Sequence, residues 1–133
     1  MTRAYRENFQ ASARETQPGA IVCTFAICAE TDEAAQRLAA SIDLRRLHMA
    51  LNLDTPVPTL AEAQKHVYSE EERRYVLGQR ERAVIGGPET CRRELTALVE
   101  RYGADELMAL TITGDYATRL RSYELLAGAF GLG

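Results

Sequence analysis

The residues of this chain best suited to chemistry are few and scattered. Cys23 and Cys28 stand five apart. On one extended segment that spacing puts them on opposite faces, so they cannot hold a metal ion together. Only His48 and His66 could add an imidazole, and they do not stand at an HxxxH or similar interval. With Cys91 the thiols number three, an odd count without a CxxC pair. That pattern fits a reducing compartment, with all three cysteines packed, better than a disulfide framework. Gly86-Gly87-Pro88 could present free backbone N–H groups to an anion at a helix start. It is neither GxGxxG nor a P-loop, because no lysine follows at the required place, and a structural helix start is the better reading. Asp115 is better placed to cap a helix than to act as a general base. Arg119, Arg121 and Glu124 form a charged helix face of the solvated kind, while Arg119 and Tyr123, four apart, would brace the last helix against its neighbour. There is no paired carboxylate in an apolar setting, no nucleophile with a placed base and no metal cluster, so the residues nominate neither a catalytic group nor a metal site.

The elements that must position these residues are clearest in the last third. Pro88, Glu89 and Thr90 open a helix, since proline tolerates the first turn and an early carboxylate favours the positive helix end. Cys91, Leu95, Leu98, Val99 and Tyr102 lay one apolar stripe along it, and Gly103 stops it. Leu107 to Thr113 reads as a strand, and Asp115 caps a second helix whose stripe is Tyr116, Leu120, Tyr123, Ala127 and Phe130. This helix-strand-helix order belongs to a parallel α/β fold. Upstream, Ala4 to Ala11 reads as a helix broken at Pro18-Gly19, with Tyr5 and Phe9 on one face. Ala20 to Ala29 is a nearly continuous apolar run, the pattern of a strand buried on both faces. Thr31 caps a long helix reaching about Leu51. Asn52 to Thr59, with Pro56 and Pro58, is a linker. Ser69 to Arg82 reads as a charged helix with Ser69 as cap and Glu70 and Arg74 spaced for an ion pair.

The wording of these segments resembles a known family. Val84 to Asp115, followed by Arg119 to Ala127, is similar to the carboxyl end of the luciferase-like, flavin-dependent monooxygenases, and Tyr5 to Phe9 and Ala26 to Ser41 look like the preceding stretch of the same proteins. The resemblance implies a single domain over 1–133, with a linker at 52–60 inside a helical insertion. The implied fold is part of a (β/α)8 barrel, about two parallel strands with four to six helices and mostly helical. A whole barrel needs roughly 200 residues or more, whereas this chain has 133. The resemblance implies reduced FMN, with a deazaflavin as the alternative, and oxygen acting on a small organic substrate in the complete protein, supplied by a flavin reductase. The chain alone is expected to be inactive, because open strand edges cannot enclose a flavin. It would pair with itself or with an amino-terminal half; a non-catalytic interaction module and a small α/β binding protein are the alternatives.

Within such a barrel, side-chain size suggests which strand face meets a ligand. Ile21, Cys23, Phe25 and Ile27 share a bulky face and Val22, Thr24, Ala26 and Cys28 a smaller one; Met108, Leu110 and Ile112 are bulky, and Ala109, Thr111 and Thr113 are small. The expectation is that bulky faces meet the outer helices and small residues point inward, making Cys28, Thr111 and Thr113 the candidate cofactor neighbours at the strand ends.

Composition excludes more than it identifies. Hydrophobic residues are 46% and charged residues 26%, ordinary for a globular domain. The net charge of -3 argues against a generic nucleic-acid binder. No long apolar stretch or basic leader points to membrane or secretion, so the expected address is the cytoplasm.

Overall fold

Three parallel strands and six helices make up the fold in the computed structural model, which describes residues 1–132. Strand β1 (Ile21–Cys28) is central, with β2 (Ala83–Gly86) on one side and β3 (Glu106–Leu110) on the other, in the order β2-β1-β3. The register pairs Phe25 to Cys28 with Ala83 to Gly86, and Ile21 to Phe25 with Glu106 to Leu110. Helix α1 (Thr2–Glu7) precedes the sheet. The route from β1 to β2 runs through α2 (Asp32–Ala50), α3 (Leu60–Lys65) and α4 (Glu70–Arg80); α5 (Pro88–Tyr102) then leads to β3, and α6 (Tyr116–Ala129) follows.

The two crossovers travel in opposite directions along the sheet. Parallel crossovers are right-handed, so their helices fall on opposite faces. One core joins Ala26, Cys28 and Val84 to Cys91 and Leu95 of α5 and Leu126 of α6. The other joins Ile27, Ala29 and Ile85 to Ala35, Ala39 and Ile42 of α2. A wedge of a barrel would keep its strands in chain order and its helices outside; this order, with helices on both faces, is that of a doubly wound sheet.

Local chemistry sets most element ends. Thr31 accepts from the Ala34 N–H, Asp115 from Thr118, and Thr59 and Ser69 each close a reciprocal capping box with the glutamate three residues on. Gly103 ends α5 at φ 56°, a left-handed conformation that costs glycine little. The linker holds to α2, where Arg45 donates to the Thr55 carbonyl and His48 Nδ1 lies 2.8 Å from Thr55 Oγ1. Asp105 ties the strand starts together by accepting from the Ala20 N–H and from Arg6.

Several expectations need correcting. The strands are three rather than two, because Ala83–Gly86 forms a short one. Helix α1 stops at Glu7, before Phe9, although the Tyr5 and Phe9 rings still meet edge to face at 5.9 Å. Strand β3 ends at Leu110 rather than Thr113. Glu70 does not pair with Arg74 among the described residues; in this first turn it is Glu72 that is engaged, with the Ser69 N–H. On α6 the buried residues are Ser122 and Leu126; of the expected stripe Tyr123 packs beside them, while Tyr116 and Leu120 are exposed. Strand β1 is covered on both faces only in its carboxyl half, and Ile21 is 60% exposed.

One buried ion pair fastens α4 to α2. Arg80 Nε and Nη2 both reach Asp43 Oδ2, at 2.8 and 2.6 Å, and Nη1 reaches Gln36. Asp43 is 3% exposed. Arg80→Met would strand that carboxylate in the interior, so urea unfolding should show a loss of about 3 kcal/mol, whereas Arg73→Met, on an exposed residue, should change stability by less than about 0.5 kcal/mol.

Candidate functional site at the carboxyl ends of the strands

In open parallel sheets, ligands gather beyond the carboxyl ends of the strands, where the strand order reverses. Here that place lies between β1 and β3, and Cys28, Thr111 and Thr113 are all near it. The structure brings Cys28 and Thr111 together, but in the layer between the sheet and α6. The Cys28 N–H donates to Ser122 Oγ at 2.9 Å, and Thr111 Oγ1 donates to the Ala26 carbonyl at 2.7 Å while lying 3.3 Å from Ser122 Oγ. The Thr111 N–H donates to Tyr123 Oη at 3.0 Å. Thr113 Oγ1 donates to the Asp115 carbonyl at 2.8 Å, at the start of α6. Cys28 and Thr111 are 1% and 0% exposed. Ser122, which periodicity alone could not single out, is the hub of this arrangement.

The expected facing, bulky residues toward helices, holds for Ile27 and Ile112 in the α2 layer and is reversed elsewhere. The small residues Ala26, Cys28 and Ala109 meet α5 and α6, and the bulky residues Ile21, Phe25, Met108 and Leu110 turn to the opposite face, where they stay exposed. Leu95, Leu126 and Tyr123 supply the bulk in the packed layer from the helix side, so small strand residues are what fits there.

The thiols divide in the same way. Cys28 and Cys91 are buried and Cys23 is exposed, which corrects the expectation that all three pack. Burial pushes the Cys91 thiol up to about 12, reinforced by Cys28 beside it, and burial also raises Cys28. Neither is a thiolate near neutral pH, so neither suits nucleophilic chemistry.

The Gly86-Gly87-Pro88 turn is filled from within. The Gly87 N–H donates to Asp32 Oδ1 at 2.6 Å, and Thr90 Oγ1 to Asp32 Oδ2 at 3.1 Å. A carboxylate of the chain itself stands where an anion would bind. A Cβ at Gly86 would lie 2.6 Å from Thr90 Cγ2 and 2.7 Å from Asp32 Oδ1, which explains glycine there. At the rim, Arg121 bridges Glu30 and Glu124 at 2.8 and 3.1 Å. Tyr123 accepts from the Thr111 N–H, which ties α6 to the chain just after β3, in line with its expected bracing role. Among the described residues, no three His, Cys, Asp or Glu groups converge on a cation position, and no helix is long and apolar enough to cross a membrane.

These residues do not form a flavin cradle by themselves. The polar atoms of Thr111 and Thr113 are committed to internal partners. The larger grooves lie elsewhere: about 790 Å³ between α1 and the end of α5, about 540 Å³ between α5, β3 and α6, and about 490 Å³ beside Val22 to Thr24.

Comparison with known proteins adds a family context. No protein-family model matches the chain. It is 40% identical over 128 residues to the uncharacterized protein YceB of Bacillus subtilis, covering 96% of this chain and 39% of that protein. A luciferase-like monooxygenase of Escherichia coli is 27% identical over 121 residues, covering 91% of the chain and 36% of that protein. The crystal structure of apo-MsnO8 matches with a TM-score of 0.86 at 30% identity, over 99% of this chain and 40% of that one. The chain thus spans about two fifths of the length of the relatives it matches, and the relatives named luciferase-like monooxygenase are distant, at 27% identity.

Asp32 gives this end of the sheet a pH signature. The Gly87 N–H, and then the Thr90 hydroxyl, hold its carboxyl below the ordinary value of 3.8. Its stabilising effect is therefore complete above that value and fades as the pH falls through the lowered one. Asp32→Asn keeps an acceptor but removes the titration. The urea midpoint should fall less steeply for this variant than for the parent between about pH 6 and about pH 3.

Proposed function

We propose that the chain is the carboxyl-terminal portion of a luciferase-like, flavin-dependent monooxygenase, supplying scaffold rather than catalytic machinery. The observation that carries this reading is the likeness over nearly the whole chain, at TM-score 0.86 to one solved structure and at 27% identity to a protein named for that activity. The cofactor of the complete protein would be reduced FMN, with oxygen as co-substrate. Such chemistry resides in the cofactor, and the protein's part is to bind, orient and exclude water. This chain's contribution would be structural: the Ser122, Thr111 and Cys28 cluster fixes the strand ends, and Asp32 fixes the start of α5. Alone, the chain would hold no flavin.

A second reading has its own support. The uncovered bulky face of β1 and β3 favours a non-catalytic module that works by pairing with another polypeptide.

A chimera tests the first reading. This chain would replace the matched segment of the Escherichia coli luciferase-like monooxygenase. The chimera should purify yellow and bind FMN within about tenfold of the parent, while the isolated chain should be colourless and give no saturable quenching of FMN fluorescence. A folded chimera without flavin affinity would refute the family role, and a yellow isolated chain with one flavin bound would refute the claim that it lacks a site.

A further inference from the structure

We infer that Cys28 and Cys91 are a redox pair, which a peroxide closes into a disulfide that staples the carboxyl end of β1 to the first turn of α5; the inference stands apart from the family reading above. Cys28 is the last residue of β1 and the register partner of Gly86, the last of β2. Cys91 Sγ lies 3.4 Å from the Gly86 carbonyl oxygen and 3.8 Å from that of Ile27, the residue before Cys28. Both thiols belong to the layer between the sheet and α5, at 1% and 0% exposure. They sit side by side, close enough to shift each other's acidity. Cys23 stands exposed on the other face of β1, away from the pair.

Access sets the terms of the reaction. Burial keeps both thiols protonated near neutral pH, and a bulky reagent cannot pass between α5 and the sheet. Hydrogen peroxide is uncharged and little larger than water, so transient local opening at the start of α5 admits it. One thiol gives up its proton and attacks the O–O bond, becoming a sulfenic acid as hydroxide departs. The second thiol attacks that sulfur and expels water. In sum the two thiols lose two electrons and two protons, and one peroxide becomes two water molecules. Neither thiol is a ready nucleophile, so the first step is slow and the pair answers to sustained exposure. The second step joins groups already in place and is fast by comparison.

The new bond would close the long stretch of chain that runs through α2, α3, α4 and β2. A cross-link across so long a loop restricts the unfolded chain strongly. It would also reinforce the turn that Asp32 already holds through Gly87 and Thr90.

The test exposes the folded chain to hydrogen peroxide, removes the peroxide with catalase, and then unfolds the chain in an alkylating reagent for mass analysis. The expected product lacks two hydrogen atoms, carries no alkyl group on Cys28 or Cys91, and yields a peptide joining the two that dithiothreitol separates. Cys23→Ser should form the same bond. The oxidised chain should unfold at a higher urea concentration than the reduced one, and dithiothreitol should return it to the reduced midpoint. Cys28 and Cys91 both remaining alkylatable under conditions that oxidise Cys23 would overturn the inference. So would a bond that joins Cys23 to either of them, one that forms only when peroxide is added to the unfolded chain, or one that closes as described but lowers the urea midpoint.

Discussion

The close approach of α5 and α6 to the small-residue face of β1 and β3 is the contact from which the remaining architecture follows. Ala26, Cys28 and Ala109 leave room, Leu95 and Leu126 fill it, and Ser122 comes near enough to accept from the Cys28 backbone at 2.9 Å. Complete burial of a leucine-sized side chain stabilises by about 1.5–3 kcal/mol, and the Ser122 and Thr111 bonds satisfy polar groups that would otherwise be costly in that layer. Side chains alternate along a strand. Once the small residues meet the helices, Ile21, Phe25, Met108 and Leu110 have no choice but the other face.

That other face is covered unevenly. Helix α2 closes over Ile27, Ala29 and Ile85, and the Asp43 to Arg80 pair and the Arg46 contact with the Phe25 ring at 5.3 Å hold its flank. The amino-terminal halves of β1 and β3 receive no such cover. The molecule therefore has one finished layer and one unfinished layer, and an apolar groove of about 540 Å³ adjoins the β3 edge.

Much of the fold was legible in the sequence where the signal is local. Thr31, Ser69, Asp115 and Gly103 each mark a helix end by a bond made within a few residues, and each sits where the pattern places it. What escaped depends on distant partners. Ala83–Gly86 is too short to declare itself, and it is a strand only because Phe25 to Cys28 lie beside it. The packing face of α6 was hidden because its closest residue is Ser122, a polar side chain whose partner comes from β1. The facing of the sheet was misread for a related reason. Small and large faces were visible in the alternation, but which of them meets a helix depends on the bulk the helix brings, and Leu95, Leu126 and Tyr123 bring it. Cys28 and Thr111 meet around Ser122, beneath α6, rather than on an inward barrel face. The Gly86-Gly87 turn reads as a structural helix start, but the Asp32 that fills it lies far back in the chain and gives no local signal.

Thiol labelling of the native, monomeric chain tests the facing of the sheet most directly, since Cys23 and Cys28 lie on the same strand and on opposite faces. The account predicts that Cys23, exposed on the bulky face, is modified rapidly by a thiol reagent, while Cys28 and Cys91, buried beneath α5 and α6, react only after unfolding. Protection of Cys23, or labelling of Cys28 as fast as Cys23, would contradict it.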